Sequence, residues 1–407
     1  MVIVGGGLAG GNAAAALRDD GFRGQVAIIS QEPGIPFGRP PLSKTYLRSE
    51  EDLKDWYVRP ADWYEAHDVT LIRENVTAID AAAHTLVLGS GRELKYGKLL
   101  IATGGQNRRL ALPGADLAGI HYLRTVADCD AIKREAAAGR RAVVVGMCFI
   151  GCEVTASLTQ LGVGVTAVFP GRIPLERVLG EQVGTVIGAF HRSNGVRLLP
   201  GTQVAAFDGT ERLEAVVTAD GDRIACDFAV AGVGIEPVVP TVTGSPMAQE
   251  NGILVDELCR TSAADVYAAG DVANQLHPVF GRVRVEHYNN AEKQGAAAGR
   301  SMLGSAAPYD YIHSFWSDQY EHKLEYVGHA TSWDDFVVRG SVKDGQLVGF
   351  YLSAGVVLAA VGLDRGGDPE LDRDSEMAAS ARLVAQRARP GRDVLSDERV
   401  DLWSLAQ

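Results

Sequence analysis

The sequence has little of several features that define whole classes of protein. It contains only five cysteines, Cys129, Cys148, Cys152, Cys226 and Cys259, and their spacing is typical neither of a zinc site nor of a disulfide framework. We therefore expect reduced thiols and no metal. No apolar run approaches the ~20 residues that span a bilayer, and the N-terminus lacks the basic and apolar segments of a signal peptide. These absences predict a cytoplasmic protein with no membrane partner.

Positive charge is also scarce. The chain has 39 lysines and arginines against 51 acidic residues, a formal net charge of -12 at pH 7. Such an acidic balance argues against a nucleic-acid-binding protein. Hydrophobic residues make up 46% and charged residues 22% of the 407 residues, which are the proportions of an ordinary globular protein. A chain of this length is expected to form two or three domains.

The chain begins with an apolar strand that ends in a glycine-rich turn. Val2–Val4 leads into Gly5, Gly7 and Gly10, and an alanine-rich helix is predicted over residues 12–17. This spacing is the dinucleotide fingerprint: the first glycine allows the turn, the second admits a pyrophosphate to bare backbone, and the third lets the helix pack on the strand. The N-terminus of the helix favours the phosphate charge. On this motif alone, a glycine-rich loop without a ligand is the alternative.

Two groups of polar residues follow the next predicted strand, residues 25–30. A ribose-binding acid is expected at the end of this strand, where Gln31 takes the usual position and is slightly favoured over Glu32. In the Pro-rich loop beyond it, prolines fix the backbone. That loop would present Arg39 to phosphate and Lys44 to a ring edge, although such turns are more often only turns.

Two later stretches predict contacts between backbone and a cofactor. A buried strand runs into Ala102, Thr103 and Gly104, where a glycine permits close approach. Nearer the C-terminus, another short strand delivers Gly270 and Asp271 to a helix start, and this carboxylate can bind polyol hydroxyls. Together with the N-terminal fingerprint, the second stretch makes a two-part FAD signature.

The strand, turn and helix pattern occurs a second time, which predicts a second dinucleotide fold for a nicotinamide nucleotide. The second turn contains Gly146 and Gly151, but Cys148 replaces the middle glycine. Its side chain should crowd an approaching pyrophosphate. The next strand ends at Phe169 without an acid, and Arg172 could instead receive a 2′-phosphate. An arginine in solvent is about as good an interpretation of that residue.

These motifs together resemble one family. The chain resembles the FAD-dependent NAD(P)H:ferredoxin reductases coupled to oxygenases and cytochromes P450, and it is also similar to the apoptosis-inducing factor group. The resemblance covers nearly the whole chain. Its most specific motifs are Arg-Pro-Pro-Leu-Ser-Lys at 39–44 and Phe-Trp-Ser-Asp-Gln at 315–319; the others lie at 5–10, 102–104, 234–237, 267–271 and 284–287.

The resemblance implies an α/β fold with two Rossmann-like dinucleotide-binding domains and a smaller α+β C-terminal domain. In the last domain, alternating apolar residues and turns predict an antiparallel sheet, followed by a helix over about 375–387. The implied domains are FAD, 1–107 and 236–306; NAD(P)H, 108–235; and C-terminal, 307–407.

The resemblance also implies roles for individual residues. Lys44 would lie at the flavin edge, paired with Glu153, so that a cation stabilises the reduced ring. Asp271 would bind the ribityl chain, and Trp316 would lie beside the ring. The implied FAD contacts are Gly5, Gly7, Gly10, Gln31, Glu32, Arg39, Lys44, Ala102, Thr103, Gly104, Gly270, Asp271, Glu286, His287 and Trp316, and the implied NAD(P)H contacts are Gly146, Gly151, Arg172 and Gly234.

Two functions are therefore predicted. The first is a reductase that uses FAD and NADH or NADPH and passes electrons to a ferredoxin-like iron-sulfur protein. The alternative is a flavoprotein oxidase, dehydrogenase or redox sensor of the same fold with a weakened pyridine-nucleotide site, an interpretation that the changes at Cys148 and Phe169 favour. Either would be a monomer or a homodimer.

Overall fold

In a computed structural model of the chain, which describes residues 1–406, the residues group into two compact units. The first unit contains residues 1–40, 52–106 and 235–313; the second contains 41–51, 107–234 and 314 onward. These divisions differ from the predicted domain limits: the predicted NAD(P)H and C-terminal domains group in one unit, and the limits after residues 107 and 235 each lie one residue earlier. The first unit extends to residue 313 instead of 306. Residues 41–51 group with the second unit, because Leu42 and Tyr46 form hydrogen bonds there with Cys129 and Asp130.

The first unit is built on a five-stranded parallel sheet of apolar strands. Along them, side chains alternate between two cores: Ile3 and Leu100 face one, and Val2 and Leu99 face the other. A parallel sheet covered on both faces requires such uninterrupted apolar strands. In sheet order the strands are Val266–Ala268, Leu99–Ile101, Val2–Val4, Val26–Ile29 and Val69–Ile72.

Two helices of the first unit pack closely through small residues. The helix after the glycine turn is Leu8–Asp19, which begins four residues earlier than predicted. A Cβ added at Gly295 would lie 2.3 Å from the carbonyl oxygen of Ala9, so only glycine allows this approach. The helices of this unit are Leu8–Asp19, Ala61–Ala66 and Tyr288–Met302, with 3-10 turns at Leu53–Trp56 and Gly270–Val272.

Smaller sheets complete the first unit. One has four strands, Val242–Thr243, Val76–Asp80, Thr85–Leu88 and Glu93–Lys95, and another has three, Ile253–Val255, Ala273–His277 and Gly281–Arg284. A two-stranded pair joins Gly105–Asn107 to Ile235–Pro237, the two places in the sequence where the chain leaves and re-enters this unit.

The second unit contains another parallel five-stranded sheet, which confirms the second dinucleotide fold. In sheet order its strands are Arg197–Pro200, Gly164–Phe169, Arg141–Val145, Phe228–Ala231 and Ile120–Tyr122. A three-stranded sheet of Val204–Gly209, Leu213–Thr218 and Arg223–Ala225 accompanies it. The helices of this part are Val126–Glu135, Phe149–Gln160 and Glu176–Ser193.

The C-terminal part of the second unit is an antiparallel five-stranded sheet with helices, as predicted. Its strands, in sheet order, are Ser314–Gln319, His322–Gly328, Val356–Leu363, Gln346–Ser353 and Asp335–Ser341. The helices here are Glu376–Ala385 and Arg392–Ser396, with a 3-10 turn at Leu402–Leu405. Another 3-10 turn, Pro40–Ser43, lies at the start of the segment 41–51. Among residues 1–406, no helix combines the length and apolar character needed to cross a bilayer.

Candidate functional site

The first glycine turn has one open side. Gly5 has a φ of +121°, and a Cβ there would lie 2.0 Å from the carbonyl oxygen of Ala102. A Cβ at Gly10 would lie 2.0 Å from the carbonyl oxygen of Gly5. At Gly7, by contrast, an added Cβ would meet no heavy atom of the described residues within 4 Å. The turn therefore leaves bare backbone at the helix N-terminus, and this fits a pyrophosphate group.

Beside this turn lies a cleft lined by Gly6, Ser30 and Glu32. Glu32 forms a 2.5 Å ion pair with Arg39, and both side chains are largely covered. Gln31, the slightly favoured ribose contact, is exposed and does not line the cleft. The structure therefore places Glu32, and not its neighbour, where a ribose hydroxyl could be bound.

The strand ends near residues 102 and 270 form tight backbone turns in the first unit. Thr103 donates its hydroxyl to the carbonyl oxygen of Val238 at 2.6 Å. The next residue, Gly104, has a φ of +65°. Gly270 has a φ of +77°, and its N–H donates to Oε1 of Gln294 at 2.8 Å. Because residues other than glycine rarely adopt such φ values, both turns depend on these glycines.

Three predicted polar contacts lie together in the first unit. Asp271, half-buried in the 3-10 turn, accepts a hydrogen bond on its carbonyl oxygen from Arg284 at 3.0 Å. The same arginine forms a 2.7 Å ion pair with Glu286. His287 follows directly and occupies the position before the first turn of helix Tyr288–Met302. These contacts therefore tie the backbone of Asp271 to Glu286 through one arginine.

The second glycine turn repeats the backbone of the first. Gly146 has a φ of +95°, and a Cβ at Gly151 would lie 2.0 Å from the carbonyl oxygen of Gly146. Cys148 takes the place of Gly7 with nearly the same dihedral angles, φ -78° and ψ -176° against -85° and -167°. Its Sγ donates to the carbonyl oxygen of Gly232 at 3.1 Å. Burial raises the pKa of the Cys148 thiol, so it is a protonated donor at neutral pH.

Arg172 is held by acidic neighbours in the structure. Its side chain is 72% exposed and lies 2.6 Å from Oε1 of Glu176. A second carboxylate, Glu181, is 3.8 Å away. The contact with Glu176 raises the pKa of the guanidinium above its ordinary value. A 2′-phosphate at Arg172 would therefore meet carboxylates as well as the cation. Gly234, the remaining predicted nicotinamide contact, has a φ of +92° and lies in the chain between the strands Phe228–Ala231 and Ile235–Pro237.

The predicted pair of Lys44 and Glu153 is present and buried. Nζ of Lys44 lies 2.7 Å from Oε2 of Glu153, with side-chain exposures of only 9% and 4%. Ser43 donates to the same oxygen at 2.5 Å, and Ser317 donates to Oε1 at 2.8 Å. A buried carboxylate is tolerated when it is paired and hydrogen-bonded in this way.

Sequence reasoning assigned no role to the two serines that hold Glu153. Ser317 lies within the Phe-Trp-Ser-Asp-Gln motif, and its alternation with Trp316 is the local signal that could have found it. Along this strand Ser317 is buried while Trp316 and Asp318 are half-exposed, because successive side chains point to opposite faces. Burial raises the pKa of Asp318, opposed by the charge of Lys44.

No group of His, Cys, Asp or Glu side chains within residues 1–406 could hold a metal ion. The same residues contain no disulfide, and each of the five cysteines is free.

Comparisons with known proteins agree with this geometry. A family model described as pyridine nucleotide-disulphide oxidoreductase matches residues 1–295, and one described as reductase C-terminal matches residues 314–406. The chain is 38% identical to the 5,5'-dehydrodivanillate O-demethylase ferredoxin reductase subunit of Sphingobium sp. over 413 residues, 99% of this chain and 97% of that protein. It is 37% identical to rhodocoxin reductase of Rhodococcus erythropolis over 350 residues, 85% and 82% of the two chains.

Solved structures give the same result. The chain matches the reductase in the crystal structure of the covalent putidaredoxin reductase-putidaredoxin complex with a TM-score of 0.91 and 33% identity, over 99% of this chain and 97% of that chain.

Proposed function

The chain belongs to the pyridine nucleotide-disulphide oxidoreductase family, and we propose that it is an FAD-dependent NAD(P)H reductase that passes electrons to a ferredoxin-like iron-sulfur protein. Relatives at 37–38% identity are named ferredoxin or rhodocoxin reductases, and such proteins serve an oxygenase or a cytochrome P450. When bound, FAD supplies the chemistry of the reaction, since it takes a hydride as an electron pair and releases electrons singly.

The first unit is proposed to hold FAD. Gly7 leaves bare backbone open to a pyrophosphate, and the N-terminus of helix Leu8–Asp19 favours its charge. Glu32 is the proposed ribose contact because it lines the neighbouring cleft. Asp271 is proposed to bind the ribityl hydroxyls. The other proposed FAD contacts are Gly5, Gly10, Arg39, Ala102, Thr103, Gly104, Gly270, Glu286, His287 and Trp316.

The fold of residues 108–235 is proposed to hold the nicotinamide nucleotide, with Gly146, Gly151, Arg172 and Gly234 as its contacts. Glu176 is added to that set because it pairs with Arg172. A carboxylate can accept hydrogen bonds from ribose hydroxyls and repels a 2′-phosphate. On this ground NADH is the proposed donor.

Lys44 and Glu153 are proposed as the catalytic pair. Three side chains donate to the carboxylate of Glu153, and this carboxylate forms a buried ion pair with Lys44. A fixed ammonium stabilises negative charge that develops during reduction without needing to reorganise. This buried, hydrogen-bonded ion pair is the single observation that most favours electron transfer over a passive binding role.

The protein's location is proposed to be the cytoplasm. The five free thiols, four of them buried, are consistent with a reducing compartment.

The test is an anaerobic reduction followed by electron transfer. Purified protein loaded with FAD is mixed with NADH or NADPH while flavin absorbance is recorded, and a ferredoxin is then added. We expect rapid bleaching with NADH and reduction of the ferredoxin afterwards. Bleaching without any electron transfer to ferredoxins would contradict the acceptor, and no bleaching with either nucleotide would favour the oxidase or sensor alternative.

The structure adds no support to that alternative. It rested on Cys148, which was expected to crowd the turn, and on the missing acid after Phe169. Cys148 keeps the backbone angles of Gly7 and directs its thiol at the carbonyl oxygen of Gly232, and Glu176 supplies a carboxylate a few residues beyond Phe169.

A further inference from the structure

Within the second unit, helix Phe149–Gln160 contacts strand Ser314–Gln319 at two successive points along its length. Phe149 packs edge-on against Phe315 with ring centroids 4.8 Å apart. One helical turn later, Glu153 meets Ser317. Four helical residues rise about 6 Å and two strand residues about 6.7 Å, so the two spacings match. Ser317 is thus set opposite Glu153 by the same packing that brings the aromatic rings together.

The hydroxyl of Ser317 has its direction fixed by a neighbour. Gln319, two residues further along the same face, donates from Nε2 to Oγ of Ser317 at 3.2 Å. A serine hydroxyl carries a single proton. Because its oxygen already accepts from Gln319, that proton is directed at Oε1 of Glu153, 2.8 Å away.

The two oxygens of Glu153 are supported from different elements. Oε2 receives Lys44 and Ser43, both on the segment 41–51. Among the described residues, Ser317 is the side chain that donates a hydrogen bond to Oε1. Without it, half of a carboxylate that is 96% covered would lack a donor, and the carboxylate could rotate about its last bond.

We propose that Ser317, oriented by Gln319, is a positioning residue that fixes the Glu153 carboxylate and thereby the ammonium of Lys44. Neither residue has been given a role in the reaction so far. The inference rests on the proposed function for its catalytic meaning, because Lys44 matters there as the fixed cation. Its structural content, a carboxylate oriented by a serine on the C-terminal sheet, can be measured without turnover.

The direct test is infrared spectroscopy of the FAD-loaded protein. The separation of the two carboxylate stretching bands reports which oxygens accept hydrogen bonds, and a difference spectrum against Glu153→Gln identifies the bands of Glu153. We expect Ser317→Ala to shift these bands and Ser317→Thr, which keeps the hydroxyl, to restore them. Gln319→Leu should give a partial shift, since the Ser317 hydroxyl then loses its fixed direction. The matched control is Ser314→Ala, a buried serine on the same strand that does not contact Glu153.

Turnover gives the second measurement. With NADH, Ser317→Ala should lower the rate of flavin reduction about three- to tenfold. This is less than the tenfold or more that a whole hydrogen bond to a charged group represents, because Ser317 acts on the reaction only through Glu153 and Lys44. The KM for NADH should be unchanged, because positioning acts on the reaction and not on nucleotide binding. Ser317→Thr should recover the rate.

Two results would overturn the inference. Bands of Glu153 that do not move in Ser317→Ala would mean that the serine does not fix the carboxylate. An equal shift in Ser314→Ala would mean that any change on this strand disturbs the helix. If NADH fails to reduce even the wild-type flavin while the band shifts follow the expected pattern, the reductase assignment falls and the positioning of Glu153 stands.

Discussion

The effects of removing Lys44 and Glu153 on stability should be strongly non-additive, so that removing both costs much less than the sum of the two single removals. Lys44→Met leaves the Glu153 carboxylate, 4% exposed, without its cation. Breaking a buried pair in this way typically costs about 3–5 kcal/mol. The two serine hydroxyls still donate hydrogen bonds to Glu153. We therefore expect a loss of stability at the lower end of this range, about 3 kcal/mol. For a unit of this size, such a loss lowers the midpoint of thermal unfolding by about 6–12 °C.

The second single variant and the double variant complete the cycle. Glu153→Gln keeps the shape of the side chain, but it removes the carboxylate that lies 2.7 Å from the buried ammonium of Lys44. We expect a cost of about 2 kcal/mol, because the amide oxygen still accepts a hydrogen bond. The double variant contains no buried charge at this position, and it should lose only about 2–3 kcal/mol. The coupling between the two sites is then about 2–3 kcal/mol.

Calorimetry of the FAD-loaded protein is the appropriate assay, because a chain with two compact units need not unfold in one step. Lys44 and Glu153 both belong to the second unit, so the shift should be confined to one transition. The control is the exposed pair of Lys54 and Asp52 in the first unit, where Lys54→Met and Asp52→Asn should be additive. Additive effects at Lys44 and Glu153 as well would refute the buried-pair reasoning.

Three further predictions follow from the first glycine turn, the Arg172 contact and a buried histidine. Gly7→Ala should fold normally but retain less FAD, whereas Gly10→Ala should destabilise the first unit because its Cβ meets a carbonyl oxygen; circular dichroism and flavin content of the purified variants distinguish these outcomes. Glu176→Gln should raise the efficiency of NADPH relative to NADH about tenfold, and Arg172→Ala should lower it; equal ratios in both variants would exclude this pair from nucleotide selection. Burial lowers the pKa of His191 from 6.5 to about 4. The unfolded chain therefore binds a proton at His191 more readily, so the free energy of unfolding is at its full value above pH 6.5 and falls by about 3 kcal/mol as the pH drops toward 4. In His191→Asn the unfolding temperature should depend less on pH over that range.

The features that could be predicted from the sequence are those that depend on residues close together in the chain. The strand Val2–Val4 and the glycines at 5, 7 and 10 constrain one another over a few positions, so their spacing alone predicts the turn. The choice between Gln31 and Glu32 depends on which of two adjacent side chains turns toward the cleft. That orientation follows from the pairing of Glu32 with Arg39 in the loop beyond, which the strand pattern does not contain.

The arrangement around Glu153 lies outside local reasoning. Its donors come from residues 43–44 and 317, which are more than a hundred positions away on either side. Helical periodicity places Glu153 on a buried face, where an isolated acid would be unexpected. The family resemblance supplied the pairing with Lys44, but nothing in the order of residues indicates that a serine on the C-terminal sheet completes the set.

The three glycines of the fingerprint meet two different requirements, the backbone geometry of the turn and the close approach of a ligand. The second dinucleotide fold shows which glycine meets which requirement. At the first position, Gly5 and Gly146 both have a positive φ, and at the third position Gly10 and Gly151 would both clash with a carbonyl oxygen. These glycines are required by the fold whether or not a ligand binds. The middle position has no such requirement, because Cys148 adopts ordinary extended angles there.

A glycine at the middle position is therefore needed only by a ligand and not by the fold. It is at this middle position that the second turn departs from the fingerprint. The second fold keeps both glycines that its backbone needs and changes only the residue that a pyrophosphate would approach. Cys148 directs its thiol at the carbonyl oxygen of Gly232, so that the substitution need not close the site. Cys148→Gly should accordingly leave the stability of the second unit nearly unchanged and alter the affinity for NADH and NADPH alike. A large loss of stability in that variant would show that the thiol contributes to the fold, and the separation of the two requirements would then be wrong.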